Sequence, residues 1–314
     1  VKTTPSPKRI GFIDYRLDNF HAEIMLDAIR GPLKGREFTV AGAWALLEGP
    51  SRSWASAHDL DFFGELAALD EHVDCYMVLA PSNPEIHREL CQRVFPLGKP
   101  TYVDKTFAPD IATARDLFLL ADRYQVPVQT SSALRYTNVQ TAVNSRNKPI
   151  RHLAVWGGGT SLEEYGIHVI ELAISCLGAK ATHVTFLGPA SHPLFVLHFE
   201  GGQTASINFN PQKHTPYRVG LTFEDDTELI TVDDSQLFVD AVAAILDFFE
   251  TGAALIDRQE SLLIRHILDI ACANPQFGAS TSLETARVVP APKGLRHWEG
   301  KADSNHGLDT LLTK

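Results

Sequence analysis

Apolar and polar positions in the first 130 residues switch repeatedly between a strand-like run and a helix-like period. Lys8–Asp14 (KRIGFID) is a short apolar run, and Asn19–Arg30 then carries Phe20, Ile24, Leu26 and Ile29 at helical spacing. Phe38–Trp44 is the next strand candidate and Phe62–Leu69 a short helix. Val73–Ala80 (VDCYMVLA) is almost continuously apolar, as a strand buried on both faces is. The helix that follows has Asn83 at its cap, Pro84 at its first position and Glu85 beside the positive end of its dipole. Lys99–Asp104 reads as a strand, Pro109–Tyr124 as a helix and Val126–Ser131 as a strand. Alternation of this kind predicts a Rossmann-like, doubly wound parallel sheet with crossover helices.

Beyond Tyr136 the pattern changes to one helix and a succession of strands: His152–Trp156, Thr182–Leu187, Leu194–Phe199, Thr204–Phe209, Arg218–Phe223 and Glu228–Val232. Gly201-Gly202 marks a hairpin between two of them. The expectation is an α+β domain with a mostly antiparallel sheet. Helices at Gln236–Thr251 and Glu260–Ala273 close it, and a tail from Val289 is rich in Pro, Gly and charge.

A length of 314 residues suits two domains, divided as 1–135 and 136–314. The net charge of −10, with 28 Lys and Arg spread along the chain, speaks against nucleic acid as a partner. No stretch has the roughly 20 apolar residues of a membrane span, and the N-terminus has no apolar signal core, so the expectation is a cytoplasmic protein without a membrane partner. Cys75, Cys91, Cys176 and Cys272 lack CxxC spacing and read as reduced, buried thiols.

Three places can carry chemistry. The turn from Ala80 to His87 leaves a buried strand for a capped helix, at the sheet edge where open α/β folds bind ligands. Lys105 leaves the next strand at the same edge. There it either holds a substrate hydroxyl or cofactor ribose, or is a surface lysine. Glu164 and His168 stand four residues apart on one helix face, either as a general acid/base with a carboxylate orienting an imidazole or as an ordinary surface pair. His87 and Cys91 have the same spacing, but two ligands without a third make no metal site, and none is expected.

The run APSNPEIHRELCQRVFPLGKPTYVDKTFA resembles a segment of the Gfo/Idh/MocA oxidoreductases that reads roughly TP-x-x-x-H, then GK-x-V-x-x-EKP-x-A. EEYGIHVIELAISCLG is similar to their D-x-G-x-H helix, and SSALRY to the Arg-containing stretch that ends their first domain. Order and spacing hold from about Arg9 to Glu284. The resemblance implies NAD or NADP as cofactor and oxidation or reduction of a sugar, cyclitol or related polyol. Its catalytic residues correspond to Lys105, Glu164 and His168. Its cofactor contacts fall on Asp14, Tyr15, Arg16, Asn19, His21, Ala80, Pro81, Asn83, His87, Asp104 and Arg135.

The chain also departs from that pattern. No glycine of G-x-G-x-x-G survives in Asp14–His21, so side chains stand where backbone should approach a pyrophosphate. The second strand ends without the acid that binds a ribose 2′-hydroxyl, the EKP motif reads Asp104-Lys105-Thr106, and Glu164 replaces an aspartate. Replacement donors for phosphate are Arg16, Asn19 and His21, and Arg52 is a candidate for a 2′-phosphate. The leading expectation is an NAD(P)-dependent oxidoreductase. The alternatives are a non-redox lyase or isomerase using the same acid/base groups, and a sugar-binding regulatory protein that has lost the nucleotide site. A homo-oligomer built on the open face of the second sheet is also expected.

Overall fold

The computed structural model describes residues 7–146, 148–273 and 275–284. The tail beginning at Val289 lies outside the described residues. Chain order in the first half is β1 (Lys8–Asp14), α1 (Phe20–Arg30), β2 (Phe38–Ala45), α2 (Glu48–Ala57), α3 (Leu66–Asp70), β3 (Cys75–Val78), α4 (Pro84–Val94), β4 (Thr101–Val103), α5 (Ile111–Arg123) and β5 (Val128–Gln129). The strands pair in parallel in the order β2-β1-β3-β4-β5. The order reverses direction between β1 and β3, which opens a crevice at the carboxyl ends of those strands.

The second half runs α6 (Asn138–Arg146), β6 (His152–Gly158), α7 (Leu162–Leu177), β7 (Ala181–Phe186), β8 (Leu194–Phe199), β9 (Thr204–Asn210), β10 (Thr215–Thr222), β11 (Thr227–Thr231), α8 (Leu237–Thr251), α9 (Arg258–Cys272) and β12 (Ser280–Ser282). Its sheet has the order β11-β10-β6-β9-β8-β7-β12 and is antiparallel except between β6 and β9. The alternating burial of β6, β8 and β9 puts Leu153, Val155, Phe195, Leu197, Ala205 and Ile207 on the face covered by α7 and α9. The opposite face carries the exposed Trp156 and Leu229. Among the described residues no helix is long and apolar enough to cross a membrane.

Two helices differ from expectation. α8 follows the second sheet in sequence, but its apolar side (Val242, Ile245, Leu246, Phe248 and Phe249) packs with α1 and the first sheet. Chain order does not encode which of two apolar surfaces takes such a face. α4 begins at Pro84 as expected, whereas the Asn83 side chain makes no capping hydrogen bond; Pro84 itself removes one of the orphan donors. By contrast Asn19 caps α1, its side chain accepting from Ala22 N at 3.0 Å, and Ser161 caps α7 by accepting from Glu164 N at 3.2 Å.

Candidate active site

The crevice at the carboxyl ends of β1 and β3 meets α7, β10 and the start of α8, and encloses a cavity of about 440 Å³. Its polar groups are Asn19, His21, Ser82, Asp104, Lys105, Ser131 and His168, set among Tyr102, Tyr165, Tyr217, Phe20 and Phe238. A small ligand-binding pocket has this makeup, apolar walls with a few convergent polar groups. The Trp-Gly-Gly-Gly run at the end of β6 makes room for two of the tyrosines. A Cβ on Gly157 would stand 2.5 Å from the Tyr217 ring, and one on Gly159 2.3 Å from Tyr165, so only glycine lets both rings lie over this strand end.

Lys105 leaves β4, is nearly buried, and its Nζ donates to Pro81 O at 3.0 Å. His168, on α7, lines the same cavity with Nδ1 2.7 Å from Ser132 Oγ. The surrounding protein, the Lys105 charge and the nearby His21 push the imidazole pKa down to about 3, so it is neutral at physiological pH. Glu164 does not orient it. The Glu164 carboxylate accepts from Ser82 Oγ at 2.9 Å, across the cleft mouth, and is not among the cavity-lining residues. Helical spacing predicts that the two can meet, but each finds a nearer partner on the first half of the chain.

His21 and Asp104 form a second polar pair. Nδ1 lies 2.7 Å from Oδ2, a close contact that is not a straight hydrogen bond. Asp104 is almost fully buried. Burial raises its pKa, but His21, Lys105 and the Lys105 N–H outweigh that, and the carboxyl stays below its ordinary value. Tyr102 Oη donates to Ser131 O at 3.0 Å and lies 3.4 Å from Asp104 Oδ1.

The loop in the place of the glycine fingerprint is closed on itself. Asp14 is turned inward and buried, with Oδ1 accepting from Arg16 N at 3.2 Å and Oδ2 from Asn19 Nδ2 at 2.9 Å. The N–H groups of Ala80 and Tyr15 also stabilise its charge. Arg16 is spent on Asp18, with Nε 2.6 Å from Oδ1. Leu17 is fully buried and its N–H donates to Ser51 Oγ at 3.1 Å. An internal carboxylate thus takes donors that a Gly-rich turn offers to a pyrophosphate, and Phe20 and Phe238, in edge contact at 5.3 Å, stand at the start of α1. These residues do not fit a dinucleotide in the fingerprint pose.

Burial raises the Asp14 pKa to about 6, against the lowering effect of Asn19 and the N–H groups. A carboxyl raised in the folded state favours folding while protonated, so that contribution is present below about pH 4 and lost as pH rises through about 6. A shift of two units corresponds to about 3 kcal/mol. Urea unfolding at pH 4 and pH 7 should show this loss in the wild type and a difference smaller by about that amount in Asp14→Asn; an unchanged difference would contradict it.

The other residues expected at a cofactor lie elsewhere. His87 is fully buried, with Nδ1 3.1 Å from Phe107 O and Nε2 3.0 Å from Leu79 O, so it ties the two strand ends together beneath the cleft. Arg135 pairs with Glu171 (2.9 Å) and Glu260 (2.7 Å), away from the cavity. Arg52 is paired with Glu48 one helical turn away and lies over the Phe62 ring. Ala80, Tyr15 and Asn83 flank the cavity without lining it, whereas Pro81 lines it. Ser132 is the residue the sequence reading missed beside His168. Its place in SSALRY is the available signal, while nothing near Phe238 in the sequence announces that it reaches α1.

No family model matches the chain, and no curated protein matches its sequence. Solved structures do match in fold. A Desulfitobacterium hafniense protein assigned as an NADPH-dependent oxidoreductase superposes with a TM-score of 0.75 at 13% identity, covering 90% of this chain and 99% of its own. GenD2 from gentamicin A biosynthesis, solved with NAD, gives 0.73 at 12%, covering 90% and 98%. The myo-inositol 2-dehydrogenase of Lactobacillus plantarum gives 0.67 at 13%, covering 85% and 96%. Among the described residues no group of three or more His, Cys, Asp or Glu is placed to hold a metal ion.

Proposed function

The fold is that of the Gfo/Idh/MocA-type dehydrogenases, and on that premise we propose that the cleft is an enzyme active site for acid–base chemistry on a small ketone derived from a sugar, cyclitol or related polyol, performed without a dinucleotide in the fingerprint pose. One observation carries this reading. Lys105 and His168 converge on one aromatic-walled cavity, while the phosphate-binding loop is already occupied by Asp14.

Ser132 Oγ accepts from Leu134 N at 3.1 Å, which frees its own proton for His168 Nδ1. In that tautomer Nε2–H donates into the cleft. A neutral imidazole and the Lys105 ammonium then both point at a substrate carbonyl oxygen, as preorganised donors for the negative charge that grows there when a neighbouring C–H bond breaks. Tyr165 and Tyr217 supply apolar ring faces and hydroxyls suited to a polyhydroxylated ring. A binding protein has no need to hold a nearly buried ammonium beside a neutral imidazole, so the regulatory reading explains less of the site.

A second reading is NAD(P)-dependent oxidation or reduction of the same substrate class. It is favoured by the fold, since neighbours such as GenD2 hold NAD. It requires a dinucleotide whose pyrophosphate lies away from the closed loop.

The test is exchange in deuterium oxide. Protein freed of nucleotide is incubated with inosose and with dihydroxyacetone, and proton NMR follows the C–H signals beside the carbonyl. Enzymatic loss of signal with at least one probe is the expected result. Exchange at the buffer rate with both would contradict the proposal, and turnover seen only after adding NAD or NADP would favour the second reading.

A further inference from the structure

Resting on that reading of the cleft, we propose that His21, backed by Asp104, is the catalytic base that carries the substrate proton, which makes the reaction a redox-neutral isomerisation. His21 sits on the first turn of α1, where a dinucleotide fold keeps its cofactor, yet it lines the substrate cavity. Its Nδ1 is engaged by the Asp104 carboxylate at 2.7 Å, which leaves Nε2 as the ring nitrogen for the cleft. Phe20 and Phe238 flank the ring at 6.0 and 5.7 Å between centroids and restrict its rotation.

Asp104 and Lys105 are consecutive, so the carboxylate behind the base and the oxygen-holding cation are set by the same turn after β4. A buried carboxylate that stays ionised next to an imidazole stabilises the imidazolium that forms on proton transfer. His168 is poorly suited to that task. Held neutral between burial and Lys105, it is a weak proton acceptor and a good hydrogen-bond donor.

The step balances within the substrate. The C–H bond beside the carbonyl breaks, its proton goes to His21 Nε2, and its electron pair forms the C=C bond of an enediolate whose oxygen faces Lys105 and His168. The hydroxyl proton of the enediolate passes to the former carbonyl oxygen, and His21 returns its proton to the former carbonyl carbon as the second carbonyl forms. Nothing is oxidised or reduced overall, so a loop closed by Asp14 does not hinder the reaction.

His21→Gln, His21→Ala and Asp104→Asn are compared with wild type in deuterium exchange of inosose and dihydroxyacetone, with circular dichroism as the control for folding. The expected loss is about 100-fold or more in His21→Gln, the scale of a general base. Asp104 is a positioning residue, so its variant should lower kcat with KM nearly unchanged. Added imidazole should restore exchange to His21→Ala. Exchange in His21→Gln within about threefold of wild type, or no imidazole rescue of a folded His21→Ala, would overturn the assignment of His21 and leave the cleft's reading standing. A wild type that exchanges neither probe would instead overturn the reading of the cleft.

Discussion

Lys105→Met should lower proton exchange by about 10²–10³-fold, the scale on which removal of one preorganised oxyanion donor acts. Methionine keeps most of the side chain's length and apolar volume, so the nearly buried stem keeps its packing while the charge is lost. The cost to the fold is the unpaired Pro81 carbonyl, of order 1 kcal/mol, since Nζ donates to it at 3.0 Å. Lys105 is one of the causes that hold the His168 pKa down, so its removal should let that imidazole titrate at higher pH. Steady-state exchange kinetics with histidine NMR checks both effects. A variant with wild-type kcat, or a His168 titration that does not move upward, would contradict the role given to the lysine.

Arg135→Met should cost about 3–5 kcal/mol of stability at neutral pH, because it strips the partner from the buried Glu171 and the half-buried Glu260. Glu171 accepts from Arg135 Nε at 2.9 Å and from Ser132 N at 2.8 Å, and Glu260 lies 2.7 Å from Arg135 Nη1. Burial already raises the Glu171 pKa despite Arg135, which lowers it; without the arginine the rise is larger. A carboxyl raised further in the folded state loses stability as pH climbs past its ordinary range. The penalty should therefore be largest at pH 7 and shrink toward pH 4. Urea unfolding at the two pH values measures it, and a penalty below about 1 kcal/mol at pH 7 would show that the network is not buried in solution. The folded fraction should also lose activity, because Glu171 holds the Ser132 N–H, and the Ser132 hydroxyl holds His168.

Local pattern carried most of the architecture. Strand period and apolar runs place β1, β2, β3 and β4 within a few residues, because each strand buries its own side chains and needs little from distant sequence. α2 and α6 escape the same reading. Glu48–Ala57 contains Gly49, Pro50 and, on its exposed side, Ser53, Ser56 and Ala57, and Asn138–Arg146 is mostly polar with only Val139 fully buried. The parallel pairing of β6 with β9 is a long-range register that alternation within a strand does not specify.

The site divides in the same way. Lys105 and His168 stand in the one cavity because each sits at a fixed point on a strand end or helix face. Their partners depend on tertiary packing: Ser132 in place of Glu164 for His168, and Asp104 for His21. The missing glycines were visible as composition. What they mean became clear only with Asp14 turned inward, because the same sequence is compatible with a carboxylate that faces the ligand. His87 and Arg135 read as ligand contacts by position, yet buried carbonyls and carboxylates claim them.

Isothermal titration of NADH and NADPH into the wild-type protein shows whether the loop from Asp14 to Asn19 has exchanged pyrophosphate binding for an internal carboxylate. No saturable heat is expected with either nucleotide up to about 1 mM, equivalent to less than about 4 kcal/mol of binding free energy. Saturable binding of either one with a Kd in the micromolar range would contradict it.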